Sequence, residues 1–358
     1  MGLIAASIAL NVALAPARDR SAEARIGGQT SAEEPAEWQA IRAAEPGRGR
    51  RAAHPGQIPW RGWSDILSRT YGQIQEDRLL AIAAGVVFFA LLALFPAVTA
   101  VVSMYGLFAK PSTIAEHLDL MSVVAPQEAV QIIGDQVSRL VAKADATLGF
   151  AFVLGLAFAI WSANAGVKAI IDALNVVYEE TEKRSFFKLN LVSLAFTVGG
   201  VAAVLLAIGA VVVVPLLLDR VGLGSFTERL IEFGRWPALI VAILLGLALL
   251  YRYGPSRERA QWKWLSVGSL VATLLWIAGS ALFSYYLRNY AHYDATYGSL
   301  GTVIGLMMWM WMSTIVVLFG AELNSEIEHQ TARDTTSGEP RPLGRRGAVM
   351  ADTVGARG

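Results

Sequence analysis

Residues 147–177 read TLGFAFVLGLAFAIWSANAGVKAIIDALNVV, and the first 21 of them, up to Val167, carry no charge. A helix rises 1.5 Å per residue, so about 20 such residues cross the hydrocarbon of a bilayer. A run this long and this apolar reads as a transmembrane helix. It is not alone. Stretches of the same kind lie at about 79–107, 191–218, 236–253, 266–290 and 298–323. Working outward from 147–177, the chain reads as an all-α polytopic membrane helix bundle with six transmembrane helices and amphipathic surface helices.

The composition fits. Of 358 residues, 54% are hydrophobic and 16% charged, against about a quarter charged in an average soluble domain. The charge is segregated into residues 1–78, 324–358 and the short connections between spans. The net charge of +1 provides no basic field for nucleic acid. Cysteine is absent, which excludes disulfides, thiolate metal sites and thiol catalysis. The four histidines, His54, His117, His292 and His329, are far apart and form no His-x-x-x-His pair. No cofactor or metal is expected, and no catalytic residue stands out.

Three segments are expected. Residues 1–57 form a disordered N-terminal extension, since large apolar groups are sparse after residue 17. Residues 58–330 form the membrane domain. Residues 331–358 form a disordered tail. The apolar run 1–17 has no Lys or Arg before it, which argues against a cleaved export signal. Residues 60–76 place Trp63, Leu67, Thr70, Tyr71 and Ile74 at helical spacing among charges. This predicts a helix along the membrane surface with Trp63 and Leu67 buried. Residues 112–143 mix acidic residues with Val130, Ile133, Val137 and Leu140 at helical period, and predict amphipathic helices outside the spans. Lys183, Arg184 and Lys188, then Arg257, Arg259 and Lys263, place two loops and both termini in the cytoplasm. Tyr285, Tyr286, Tyr290, Tyr293 and Tyr297 then form an outer aromatic belt.

The candidate intramembrane site is Asn164, Lys168, Asp172 and Asn175, with Trp161 beside them. Their spacing puts all five within an arc roughly 80° wide on one helix. Two readings stay open: a polar track for an ion or solute, or a buried Lys168–Asp172 pair that fixes helix packing. Glu322, near the end of the sixth span, is a third polar group at similar depth. Pro96 should kink the first span, because proline lacks an N–H and clashes with the preceding turn. Gly301 and Gly305 form a G-x-x-x-G suited to close helix packing. The Met307–Met312 stretch reads as packing, not as a cofactor box. The partners implied are the lipid bilayer, with a small solute or ion and a homo-oligomer left open; no nucleic acid is implied.

Five strings in order, AAGVVFFALLALFPAV (83–98), WSANAGVKAIIDALNVVYEE (161–180), LLYRYGP (249–255), YGSLGTVIGLMMWMWMS (297–313) and LFGAELNSE (318–326), resemble the YihY/BrkB family, formerly labelled ribonuclease BN-like. The resemblance covers about residues 60–330. It implies a bacterial inner-membrane protein with six spans and an unsettled molecular activity. The residues themselves argue against a nuclease, since phosphodiester hydrolysis needs clustered metal ligands or an acid–base pair. A transporter or permease-like protein and a non-catalytic scaffold for envelope assembly are the two functional expectations.

Overall fold

The computed structural model describes residues 36–108, 147–208, 224–289 and 300–357. Its helices are α1 (Ala36–Ala43), α2 (Trp60–Glu76), α3 (Leu79–Phe108), α4 (Thr147–Val177), α5 (Phe186–Ile208), α6 (Gly224–Tyr253), α7 (Trp262–Asn289), α8 (Leu300–His329) and α9 (Val349–Asp352). No strand occurs among the described residues; a lone antiparallel bridge joins Ala260 to Thr336.

Four helices are long and apolar enough to cross a membrane over Phe186–Ala203, Phe233–Tyr253, Trp262–Leu287 and Val303–His329, and Leu79–Ala93 is a shorter apolar stretch. The chain is therefore an all-helical membrane protein. α4 has the bounds expected of the second span. α6 begins before the expected span and carries Pro237 inside it. α8 runs to His329, past the expected end at 323. It continues because Asn324, Ser325, Glu326 and Glu328 are buried by neighbouring elements, not released into solvent. The amphipathic helices expected over 112–143, the apolar run 1–17, and Tyr290, Tyr293 and Tyr297 lie outside the described residues. The side chain of Pro96 does too, and with it the expected kink.

α8 packs against α2, α3, α4 and α7, and α3 lies along α4. The tightest crossing is between α7 and α8. A Cβ built on Gly268 would fall 2.0 Å from the Gly320 carbonyl, and one on Gly320 would fall 2.7 Å from the Gly268 carbonyl. Two glycines let the backbones touch where any side chain would hold them apart. Gly305, by contrast, would meet only Leu287 at 4.0 Å. The close approach uses Gly320, about four turns further along α8. Trp276 and Trp309 donate their indole N–H groups to Ser313 and Ser280 across the same pair of helices. The Met–Trp stretch thus serves packing.

The buried core lies at one end of the bundle. Leu79, Leu174, Tyr178, Tyr251, Leu265 and Leu318 form one cluster there; Ile58, Ile66, Trp264, Leu323 and Ile327 form another. The same end carries the α4–α5 and α6–α7 connections and the start of α3. α4 stops there in a Schellman turn: Glu179 has φ 51°, Glu180 N–H bonds to Asn175 C=O and Glu179 N–H to Val176 C=O.

Two expectations are corrected here. α2 buries Gly62, Asp65, Ile66 and Thr70, while Trp63 is half-buried and Leu67, Trp60 and Tyr71 are exposed. The charges go inward because each has a partner: Asp65 takes Arg48 at 2.5 Å, and Arg69 takes Glu326 at 2.5 Å. Residues 331–357 and 44–57, expected to be loose, pack on this end. Arg50 donates to the carbonyls of Gln330 and Gly355. Arg346 donates to those of Arg333, Ala351 and Ala332, and Met350 and Val354 are buried. Composition suggested disorder because the segment has few large apolar groups. Buried arginines bonded to backbone carbonyls hold it instead.

Candidate functional site

The five polar residues of α4 do not share one environment. Trp161 and Asp172 are exposed and Lys168 is half-buried, whereas Asn164 and Asn175 are buried. An arc roughly 80° wide is broad enough to straddle the edge of the bundle, and here it does. Leu154, Phe158, Trp161 and Val176 continue the exposed stripe, with the Phe158 and Trp161 rings edge to face at 5.5 Å.

Lys168 and Asp172 form no ion pair. Lys168 Nζ donates to Asn190 Oδ1 on α5 at 2.7 Å and stands 5.9 Å from the centre of the Phe186 ring. Asn190 is held for this by its own amide, which donates to the Phe186 carbonyl. A neutral acceptor on the next helix takes the ammonium, and Asp172, one turn away, points elsewhere. Asn175 is structural: its amide donates to Glu182 Oε2 at 3.2 Å, and its oxygen accepts the Ser256 N–H at 2.7 Å. It ties the α4–α5 connection to the α6–α7 connection. Asn164 is buried with its oxygen unbonded, as is the Ser162 hydroxyl near it in sequence.

Glu322 is the exceptional group. It is fully buried on α8, and neither carboxyl oxygen has a hydrogen-bond partner. The charges acting on it are Glu326 one turn on, Asp77 in the α2–α3 turn and Glu179 at the end of α4. It does not meet Lys168. Burying a polar group without a partner costs several kcal/mol on transfer scales, so such a residue inside an apolar span reads first as functional. α4 and α8 are in contact, so both helices contribute unpartnered polar atoms to the bundle.

Around Glu322 several polar groups are paired, while Tyr178 Oη, Glu328 Oε1 and both ring nitrogens of His329 are buried without a hydrogen bond. Asn324 accepts the Gly268 N–H and donates to the Leu265 carbonyl. Glu328 takes Arg257 at 2.6 Å and the Thr335 hydroxyl at 2.9 Å, with Arg257 over the Tyr178 ring. Glu180 takes Lys183 at 2.7 Å and the Val349 N–H. Outside the spans, burial pushes the Asp77 carboxyl up to about 7, aided by the nearby charges of Glu179, Glu76 and Glu326. Burial also acts to raise Glu182, but hydrogen bonds from Arg184 and Asn175 outweigh it and hold that carboxyl down at about 2. Sequence reasoning missed Arg69, Asn190, Gly268, Gly320 and Glu326. The one available signal was the density of Glu and Asn in LFGAELNSE, too polar for a lipid-facing helix end.

Among the described residues no group of three His, Asp or Glu side chains is arranged to hold a metal ion. An open pocket of about 500 Å³ lies between Ala44 and Pro59, away from the spans.

A Bacillus subtilis protein named as ribonuclease-like, YfkH, is 29% identical over 68% of this chain and 88% of its own length. A UPF0761 membrane protein of Idiomarina loihiensis is 28% identical over 51% of this chain and 60% of its own. One of Rhodospirillum centenum is 27% identical over 83% and 64%. No solved structure matches the chain. The sequence model of the family described as Virulence factor BrkB matches residues 70–343, and the chain belongs to that family.

Proposed function

We propose that the protein is a transporter or permease-like protein of the bacterial inner membrane, with Glu322 of α8 as its working polar group. The observation that carries this reading is the fully buried Glu322 carboxyl with both oxygens unbonded. A carboxyl can bind and release a proton or a small cation, and two free oxygens leave it open to do so. Ser162 and Asn164 on α4 are also buried and unbonded. The polar track expected along Lys168 and Asp172 therefore moves to the inner side of α4 and to α8. The arrangement has six spans and both termini in the cytoplasm. The packed end carries Lys183, Arg184, Lys188, Arg257, Arg259 and Lys263, the charge bias of a cytoplasmic face.

Reconstitution into liposomes with an entrapped pH-sensitive dye and a panel of ions and solutes tests the reading. Flux is expected in the native protein and lost in Glu322→Gln, with the thermal transition retained. No flux with any member of the panel, or full flux in the variant, overturns it. A scaffold is the second reading. It is favoured by the tail and the two loops, which are bonded into one packed platform at that end. Neither reading involves catalysis. RNA cleavage that survives purification and disappears when one of the protein's own carboxylates is changed would refute both.

A further inference from the structure

The outward stripe of α4 has the profile of a phospholipid. From its first third towards the packed end it runs Leu154, Phe158, Trp161, then Lys168, then Asp172. At 1.5 Å per residue, Lys168 lies roughly 13 Å and Asp172 roughly 7 Å from the end of the helix at Val177. Lys168 is thus roughly 6 Å deeper along the helix axis than Asp172. Lys168 is partly satisfied by Asn190. Asp172 makes no hydrogen bond or ion pair with any described residue and is exposed. An anion on the exposed face of a membrane helix calls for a cationic partner.

We propose that Lys168, Asp172 and Asn190, with the Phe186 ring, form a site for a phosphoethanolamine headgroup, which bears a phosphate and a primary ammonium and no second anion to oppose Asp172. The order of charges decides this. In such a lipid the phosphate is bound to the glycerol, and the ammonium lies further out. On α4 the cation is the deeper group and the anion is nearer water, so Lys168 meets phosphate and Asp172 meets ammonium. Phosphatidylglycerol has no ammonium for Asp172. The quaternary ammonium of phosphatidylcholine cannot donate a hydrogen bond to a carboxylate, and the site has no aromatic cage. Above Lys168, Trp161, Phe158 and Leu154 offer an apolar track to an acyl chain. The site is on the opposite side of α4's polar arc from Asn164, and the proposal does not depend on the role of Glu322.

Native mass spectrometry of the full chain, released from nanodiscs of equal parts phosphatidylethanolamine, phosphatidylglycerol and phosphatidylcholine, tests it. The native protein should retain phosphatidylethanolamine over each of the others by about threefold to tenfold, the range of one partly exposed charge-assisted contact. Asp172→Asn removes only the proposed ammonium partner from an exposed position, so the fold should hold. It should bring the phosphatidylethanolamine-to-phosphatidylglycerol ratio close to one. Lys168→Met should lower retention of all three. Equal retention by the native protein, or an unchanged ratio in Asp172→Asn, overturns the proposal. So does a change from dimer to monomer in Asp172→Asn at constant lipid ratio, which would assign Asp172 to a second copy of the chain.

Discussion

Arg69 on α2 and Glu326 on α8 form a buried ion pair, Nε to Oε2 at 2.5 Å, and it joins the surface helix to the membrane bundle. The guanidinium also donates to Gln330 Oε1 at 2.8 Å and to the Ala356 carbonyl at 2.7 Å. One arginine thus gathers α2, α8 and the tail. Removing one partner of a buried pair leaves the other charge uncompensated, at a cost of about 3–5 kcal/mol. Arg69→Met should therefore lower the thermal transition sharply. The double change Arg69→Met with Glu326→Leu should recover most of the loss. A single variant as stable as the native protein would show that the pair does not hold α2.

Gly268, at the crossing of α7 with α8, and Gly305 on α8 should behave oppositely. Gly268→Ala puts a methyl group 2.0 Å from the Gly320 carbonyl and 2.5 Å from Asn324 Cγ. Both neighbours are fixed by the crossing, so about 3 kcal/mol or more should be lost, at or beyond the upper end for overpacking. Gly305→Ala meets nothing closer than 4.0 Å. It should be neutral, or stabilising by up to about 1 kcal/mol, because alanine favours the helix. Melting curves of the two purified variants compare them directly.

Asp77 makes stability depend on pH. Its folded carboxyl is raised from 3.8 to about 7, so between those values the folded chain holds a proton that the unfolded chain has released. The contribution is fully present below pH 3.8 and is lost as pH rises through about 7. Asp77→Asn keeps the neutral form at every pH. The variant should melt higher than the native protein at pH 8, by roughly 2–4 °C, and the gap should narrow at pH 5 and close only near pH 3.8. A gap that does not vary with pH would show that the buried turn is not the cause.

Reporter fusions test the topology. If the proposed six spans and cytoplasmic packed end hold, a fusion at Ala125 should report the outer side and one at Arg357 the cytoplasm. Cytoplasmic exposure at Ala125 would reverse the arrangement. Opposite sides for the α2 start and Arg357 would mean an odd number of spans.

The helices were legible because hydropathy is a property of neighbours in sequence. α4 begins and ends where the uncharged run and its polar tail say it should. The family resemblance was legible for the same reason, as strings in order. The site was legible only as a set of residue types. Asn164, Lys168 and Asp172 were identifiable as polar groups in an apolar helix, and Glu322 as a carboxyl near the end of another.

Their roles depend on what stands opposite each of them. An arc of roughly 80° has no mark in the sequence to say where the bundle's edge cuts it. The cut puts Asp172 outside and Asn164 inside, and Asn190, on the next helix, takes Lys168 from its expected partner. The apolar side of α2 likewise implied burial of Trp63 and Leu67. Arg48 and Glu326, brought from elsewhere in the chain, turned its charged side inward. The sequence by itself determined that this chain is a helical membrane protein, since water and lipid act on each segment separately. The tertiary structure alone decided which charges are paired, which are exposed and which, like Glu322, are buried unbonded, because those outcomes are set by contacts between residues far apart in the chain.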